Sequence, residues 1–269
     1  MRPVIALSDL HGQVMSFPLL AEVRNQYPAA PVVFGGDYQD SYHHHTGLKV
    51  AETIYRMQRD EPDRIFALQG NHDAALVESM QGQNTYWLDA EGEDLILECV
   101  AEDIRPPASM AEALARVRQR YGRLLVWLAG LPLHLRIGRL LFVHAGFNLT
   151  LIDPVALTPR QDQYWLREEY WYGPKAPNWA HNPLSASVIS GHTPTSLITG
   201  VYDGVAAPAT RRNRVASPHG ILTVQYEGEY PRFFIDGGLH GGPAGRLPNI
   251  AVLDADTGEL IEAIEDAEN

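Results

Sequence analysis

The chain has 269 residues, 45% hydrophobic and 20% charged, with 33 acidic side chains against 21 basic ones and a formal net charge of -12. A chain of this length can bury one sizeable core. Its acidic balance repels phosphate backbones, which excludes a general nucleic-acid binder and means any phosphate must be received locally, by cations placed in a pocket. The single cysteine, Cys99, excludes an intrachain disulfide framework and suits a reducing compartment.

Met1-Arg2-Pro3 leads into a short apolar run with no secretory leader, and no apolar stretch is long enough to span a bilayer, so a cytoplasmic protein without a membrane is expected. Residues 4–7 read as a buried strand ending at Ser8-Asp9, and residues 17–27 as a helix with Leu19, Leu20 and Val23 on one face. A second strand at 31–34 ends in Gly35-Gly36-Asp37, and Val50, Ile54 and Met57 space a helix over 48–59. A third strand at 64–68 ends in Gln69-Gly70-Asn71-His72-Asp73. Three such units in a row imply right-handed crossovers and a parallel sheet whose polar loops open on one edge.

The middle, about residues 80–132, is acidic, carries Pro106-Pro107 and turns helical over 110–128, as a helical insert beside the site would. Within it residues 95–100 read as a strand holding Cys99 as a small apolar side chain, and Arg116, Arg118, Arg120 and Arg123 as a solvated helix face. Strands at 133–137 and 140–143 flank Gly138-Arg139, and further strands are expected at 187–189, 221–224 and 232–235. Residues 203–218 read as an exposed loop, and 250–254 with 259–264 as a terminal hairpin. The fold expected is α/β, a two-sheet β-sandwich flanked by helices, as a single domain over 1–269 with a small helical insert.

Five polar segments each follow an apolar run: Asp9-Leu10-His11-Gly12, Gly36-Asp37-Tyr38-Gln39-Asp40, Gly70-Asn71-His72-Asp73, His144-Ala145-Gly146 and Gly191-His192-Thr193. Together they offer carboxylate, imidazole and carboxamide side chains without thiolate, a mixture that suits divalent Mn, Fe or Zn. A shared carboxylate would set two ions about 3.5–4 Å apart, able to clamp an in-line displacement. Taken singly, Asn71 is a good turn residue and His144 a plausible core histidine; the joint occurrence at five strand ends is what points to metal.

The five segments resemble the motif series of the calcineurin-like metallophosphoesterase superfamily, from Asp9 to about Gly242. The resemblance implies a metal-dependent phosphoesterase working through a metal-bridging hydroxide. It makes Asp9, His11 and Asp37 ligands of a first divalent ion, with Asp37 as the bridge, and Asn71, His144 and His192 ligands of a second, manganese being expected and iron or zinc the alternatives. It makes His72 the general acid, oriented by Asp40. Within the superfamily the chain looks most like the phosphoprotein phosphatase branch: Trp165-Leu166-Arg167-Glu168-Glu169 resembles a bacterial segment whose arginine reaches the phosphate, and the stretch 235–242 resembles the closing motif.

Two departures stand out. Ser41-Tyr42 replace the Arg-Gly usual in that branch, so one phosphate-binding arginine is missing, with Arg160 or Arg246 as substitutes. Asp73 replaces a glutamate, as in hydrolases of dinucleoside polyphosphates. His43-His44-His45 reads as a polar loop, since three consecutive histidines cannot all face one ion. The aromatic run of Tyr164, Trp165, Tyr170, Trp171, Tyr172 and Trp179 reads as packing under the loop. The expected substrate is a phosphomonoester, on a phosphoprotein or a small molecule. A diadenosine tetraphosphate-like hydrolase is the first alternative and a catalytically weak binding protein the second.

Overall fold

Strand β1 (Pro3–Leu7) is buried on both faces, and its alternation sets the layers. Val4 and Ala6 enter one apolar cluster while Ile5 and Leu7 enter another, as successive strand side chains must. Such a strand belongs inside a covered sheet. In this computed structural model β1 pairs parallel with β2 (Val32–Phe34), which pairs parallel with β3 (Ile65–Ala67). Residues 1–167, 181–198 and 217–266 are described in it, together with the backbone of short strands at 201–202, 205–206 and 212–214.

On its other side β1 pairs antiparallel with β12 (Ile250–Asp254), and β13 (Leu260–Ile264) closes that edge. Helices α1 (Ser16–Gln26) and α2 (Lys49–Asp60) cover the outer face with Leu20, Val23, Val50 and Ile54. A second sheet runs β4 (His134–Ile137), β5 (Leu140–Val143), β6 (Ser187–Ser190), β11 (Arg232–Phe234), β10 (Leu222–Val224), β9 (Arg212–Arg214), with β5, β6 and β11 parallel. Its inner face brings Leu140, Phe142, Ile189 and Phe233 against Val4, Ala6, Val33 and Leu253, so the two sheets form a sandwich. This is the α/β two-sheet architecture expected from the sequence. A small ribbon, β7 (Val201–Tyr202) with β8 (Val205–Ala206), completes the strands, so residues 203–218 are not simply a loop; most of that stretch lies outside the described residues.

Between β3 and β4 the chain is helical. Helix α3 (Asn71–Met80) starts directly on the third polar segment. It is followed by the short α4 (Thr85–Trp87), a π-helical turn at Leu88–Gly92, α5 (Glu93–Glu98) and the long α6 (Met110–Ala129). Two expectations fail here. Residues 95–100 are helix and cap rather than strand: Leu95, Ile96, Cys99 and Val100 are the buried positions, a helical spacing that a short apolar run disguises. The Cys99 thiol is itself buried, which pushes it up to about 12 and leaves it inert. The arginines of α6 are not merely solvated. Arg116 pairs with Asp103 and Glu112, Arg120 with Asp103, and Arg118 donates to the carbonyl of Met80, so they tie α6 to the preceding loop and to α3. Among the described residues no helix is long and apolar enough to cross a membrane.

Candidate metal centre

Parallel strands deliver their C-terminal ends to one edge, and the polar segments sit there. Asp9 and His11 follow β1, Asp37 and Asp40 follow β2, Asn71 and His72 open α3, His144 follows β5 and His192 follows β6. The two sheets are stitched together at this edge: His144 Nδ1 lies 2.8 Å from the carbonyl oxygen of Gly35, and the His192 amide donates to Asp9 Oδ1 at 2.9 Å. Asp9, His11, Asp37, Asp40 and His192 all have positive φ, between 40° and 66°, and among the described residues they are the only non-glycine residues that do. Such backbone costs of order 1–3 kcal/mol each, and it concentrates where side chains must be aimed at a shared point.

The side chains converge as ligands would. His11 Nδ1 lies 2.7 Å from the Asp40 carbonyl oxygen, which leaves Nε2 facing Asp37 Oδ2 at 3.8 Å. His144 uses Nδ1 on Gly35 and turns Nε2 to Asn71 Oδ1 at 3.0 Å and Asp37 Oδ2 at 3.3 Å. His192 Nδ1 lies 2.8 Å from the same Asn71 oxygen. A backbone carbonyl holding one ring nitrogen while the other faces the donor set is the outer-shell arrangement of metal-binding histidines. Two sets, Asp9 with His11 and Asp37, and Asp37 with His144 and His192, each place their ligand atoms within 4.8 Å of one another. Asp37 is common to both.

Several features fit divalent ions and little else. Asp9 Oδ2 and His192 Nε2 are buried without a hydrogen-bond partner, which is costly unless another group satisfies them. Burial raises Asp9 despite the counter-effect of His144; burial and the Asp37 charge push Asp73 up to about 6, and burial and the Asp9 charge push Asp236 up to about 8. So many carboxylates in one buried pocket call for cations.

Close backbone approach sets two glycines. A Cβ on Gly191 would collide with Asp9 Oδ2, and one on Gly70 with the Asp37 carboxylate and, at 2.5 Å, the Asp37 amide nitrogen. The backbone at Gly70 cannot give way, because Asp73 Oδ2 accepts from the amides of both Gly70 and Asp37 at 2.8 Å. This is the structural role of Asp73. Gly70→Ala should therefore cost roughly 1–3 kcal/mol of stability by overpacking and also weaken metal uptake. Thermal unfolding with and without manganese checks it; a variant matching the parent in both would contradict the close approach.

Beside the donor sets, His72 Nδ1 lies 2.8 Å from Asp40 Oδ2 and His72 Nε2 faces Asp37 Oδ2 at 4.0 Å. Burial lowers the basicity of His72, but the Asp40 and Asp37 charges overcome it and push it up to about 10. Sequence reasoning missed Trp87, whose Nε1–H donates to Asp40 Oδ2 at 3.0 Å, and His240, whose ring lies 4.6 Å from that of His11 and 5.0 Å from that of His72. Asp236 was passed over as part of the closing stretch. No local signal marks these three.

The arginines expected to bind phosphate occupy different surroundings. Arg167 Nη1 donates to the His192 carbonyl at 3.1 Å and to Thr193 Oγ1 at 3.3 Å, which places its charge beside the second donor set. Arg160 donates to Gln69 Oε1 at 2.5 Å, and Arg246 is buried against His219 Nδ1 and the Gly237 carbonyl. At Ser41 the hydroxyl donates to the His240 carbonyl at 3.2 Å, and the Tyr42 ring lies tilted against His240, centroids 4.7 Å apart. Burial and the charges of His11 and His72 hold His240 down at about 4, so this ring is neutral and supplies no positive charge. His43 to His45 form a polar loop, with His45 on Glu98. Glu168, Glu169 and the aromatics Tyr170, Trp171, Tyr172 and Trp179 lie outside the described residues.

Residues 2–219 match the family described as calcineurin-like phosphoesterase. The chain belongs to the calcineurin-like phosphoesterase family. The phosphoesterase fold and a pair of divalent-ion sites follow from that membership, and the chain is an enzyme of this class. The chain is 29% identical over 89 residues to the serine/threonine-protein phosphatase 6 catalytic subunit of Caenorhabditis elegans, a match covering 31% of this phosphoesterase and about a quarter (26%) of that relative. Among solved structures, a candidate diadenosine tetraphosphatase superposes with a TM-score of 0.54 at 18% identity, covering 98% of this chain and 93% of the other. A serine/threonine phosphatase from Saccharomyces cerevisiae with similarity to human phosphatase PP5 gives 0.51 at 15% identity, covering 100% and 81%. At these identities the structural matches speak for the fold of the phosphoesterase alone.

Proposed function

We propose that this phosphoesterase hydrolyses alkyl phosphomonoesters, of the kind a serine/threonine protein phosphatase acts on, in the cytoplasm and as one domain whose helical insert flanks the site. The observation that carries the reading is the His72–Asp40 pair, 2.8 Å apart and placed against Asp37. A protonated, oriented imidazole is needed when the departing group is an alkoxide, which is a poor leaving group; an anhydride phosphate leaves with little help.

Asp9, His11 and Asp37 would hold one divalent ion and Asp37, Asn71, His144 and His192 a second, with manganese as the expected metal. Bound there, such ions supply Lewis-acid polarisation of the phosphoryl oxygens and an activated water. The remaining work falls to the chain. Arg167 holds phosphoryl oxygens and stabilises the charge that develops on them. His72 gives its Nε2 proton to the departing oxygen, while Asp40 keeps the ring in place through Nδ1. The intact ligand set, together with His72, argues against a binding protein that has lost catalysis.

The dinucleoside polyphosphate reading keeps one specific support, Asp73 in Gly70-Asn71-His72-Asp73. A panel of phosphopeptides, an aryl phosphate and dinucleoside polyphosphates under added manganese separates the two, and preference for the polyphosphates would overturn the first. Metal analysis after manganese loading should give two equivalents per chain, with a raised melting temperature because the ions bind only the folded form. One equivalent or none, or an unchanged Asp37→Ala variant, would show that these residues are not the ligands.

A further inference from the structure

The helical insert reaches the site through Glu91, whose Oε2 lies 3.8 Å from His72 Nδ1, and more closely through Trp87. Trp87, at the end of α4, is only 6% exposed, and its indole N–H donates to Asp40 Oδ2 at 3.0 Å. That oxygen is the one facing His72 Nδ1 at 2.8 Å. The ring is itself held: the chain makes a π-helical turn at Leu88–Gly92 just after it, and a Cβ on Gly92 would meet Trp87 Cζ3 at 2.5 Å and Cε3 at 2.6 Å. Gly92 therefore admits the indole, and the wide turn that contains it is a feature found mostly where function needs a local distortion. Buried indoles generally find some acceptor, and a backbone carbonyl would serve for satisfaction alone. Here the acceptor is the carboxylate that orients an acid, and Asp40 sits on backbone with φ 55°. A carboxylate on such a short, strained stem needs a second contact to stop it rotating away from the imidazole.

We propose that Trp87 is a positioning residue for proton transfer: by fixing Asp40 Oδ2 it fixes the orientation of His72, so the insert sets how well the enzyme expels a poor leaving group. The inference rests on the reading of His72 as the acid. Removing the N–H by Trp87→Phe should lower kcat on an alkyl phosphate roughly tenfold while leaving KM and the bound manganese unchanged. On a nitrophenyl phosphate, whose leaving group needs little protonation, the loss should be less than about twofold. In a His72→Ala background the same substitution should add nothing, since both changes act through one proton.

The competing role is packing. Trp87 replaced by its benzothienyl analogue keeps the shape and loses only the N–H; it should reproduce the Phe result, and normal activity of that analogue overturns the proposal. Equal losses on both esters, or full additivity with His72→Ala, overturn it as well. If His72→Ala alone fails to discriminate between the esters, the acid assignment falls and takes this inference with it. If His72→Ala discriminates and neither Trp87 variant does, only the inference falls.

Discussion

Replacing His72 by alanine should lower turnover of an alkyl phosphate by about 10²–10⁴-fold, the usual contribution of a positioned proton donor. The ring is nearly buried, lies 2.8 Å from Asp40 at one nitrogen and faces Asp37 at the other. The Asp40 and Asp37 charges push it up to about 10 against the effect of burial, which favours the protonated form that an acid needs. The loss should shrink on nitrophenyl phosphate, whose leaving group departs unaided. Steady-state kinetics on both esters at saturating manganese read the difference. Equal losses would mean that His72 supports the site in another way, through its amide on Asp37 Oδ1 and the start of α3.

The second large effect is expected at Arg167. With Ser41 in place of the expected arginine and its hydroxyl on the His240 carbonyl, Arg167, beside the second donor set, is expected to meet the phosphoryl oxygens. A guanidinium matches two such oxygens at once, and lysine cannot. Arg167→Ala should therefore lower kcat/KM about a hundredfold, roughly 3 kcal/mol of transition-state stabilisation, with Arg167→Lys recovering part of it. The bland role is visible too: the same side chain bridges the His192 carbonyl and Thr193 Oγ1 and so braces the loop after β6. Melting temperature and kcat/KM measured on one preparation tell the roles apart. A lower melting temperature with unchanged activity per folded molecule would leave Arg167 a brace and nothing more.

The sandwich was readable because each buried strand is a short apolar run followed at once by polar residues, a pattern that survives without any knowledge of pairing. The strand-end residues were readable for the same reason. Residues brought in across the fold were not. Trp87 lies 47 positions from Asp40, and its indole looks in sequence like any core aromatic. His240 lies against His11 and His72, and Ser41 and Tyr42 both donate to its backbone carbonyl, at the place where an arginine was expected. Residues 95–100 failed for a different reason. Six apolar-leaning positions cannot separate a period of two from one of 3.6, and the neighbouring α6 decided for helix. The arginines of α6 read as solvent-facing since their partners, Asp103 and the carbonyls of Met80 and Cys99, lie on other segments.

The order of strands in the first sheet, β13-β12-β1-β2-β3, joins the beginning of the chain to nearly its last residues. Asp9, His11, Asp37, Asn71 and His72 all precede β12 in the chain, on strands that can pair with one another before it is made. The free edge of β1, apolar on both faces, stays bare until Ile250–Asp254 has left the ribosome and folded back onto it. Pairing across so long a separation is slow to form, and an uncovered apolar edge is a template for association with other chains. The strand-end residues proposed to carry the chemistry thus wait, exposed, for a hairpin that contributes none of them. Folding yield in the cell should accordingly depend on that hairpin as heavily as activity depends on the residues at the strand ends.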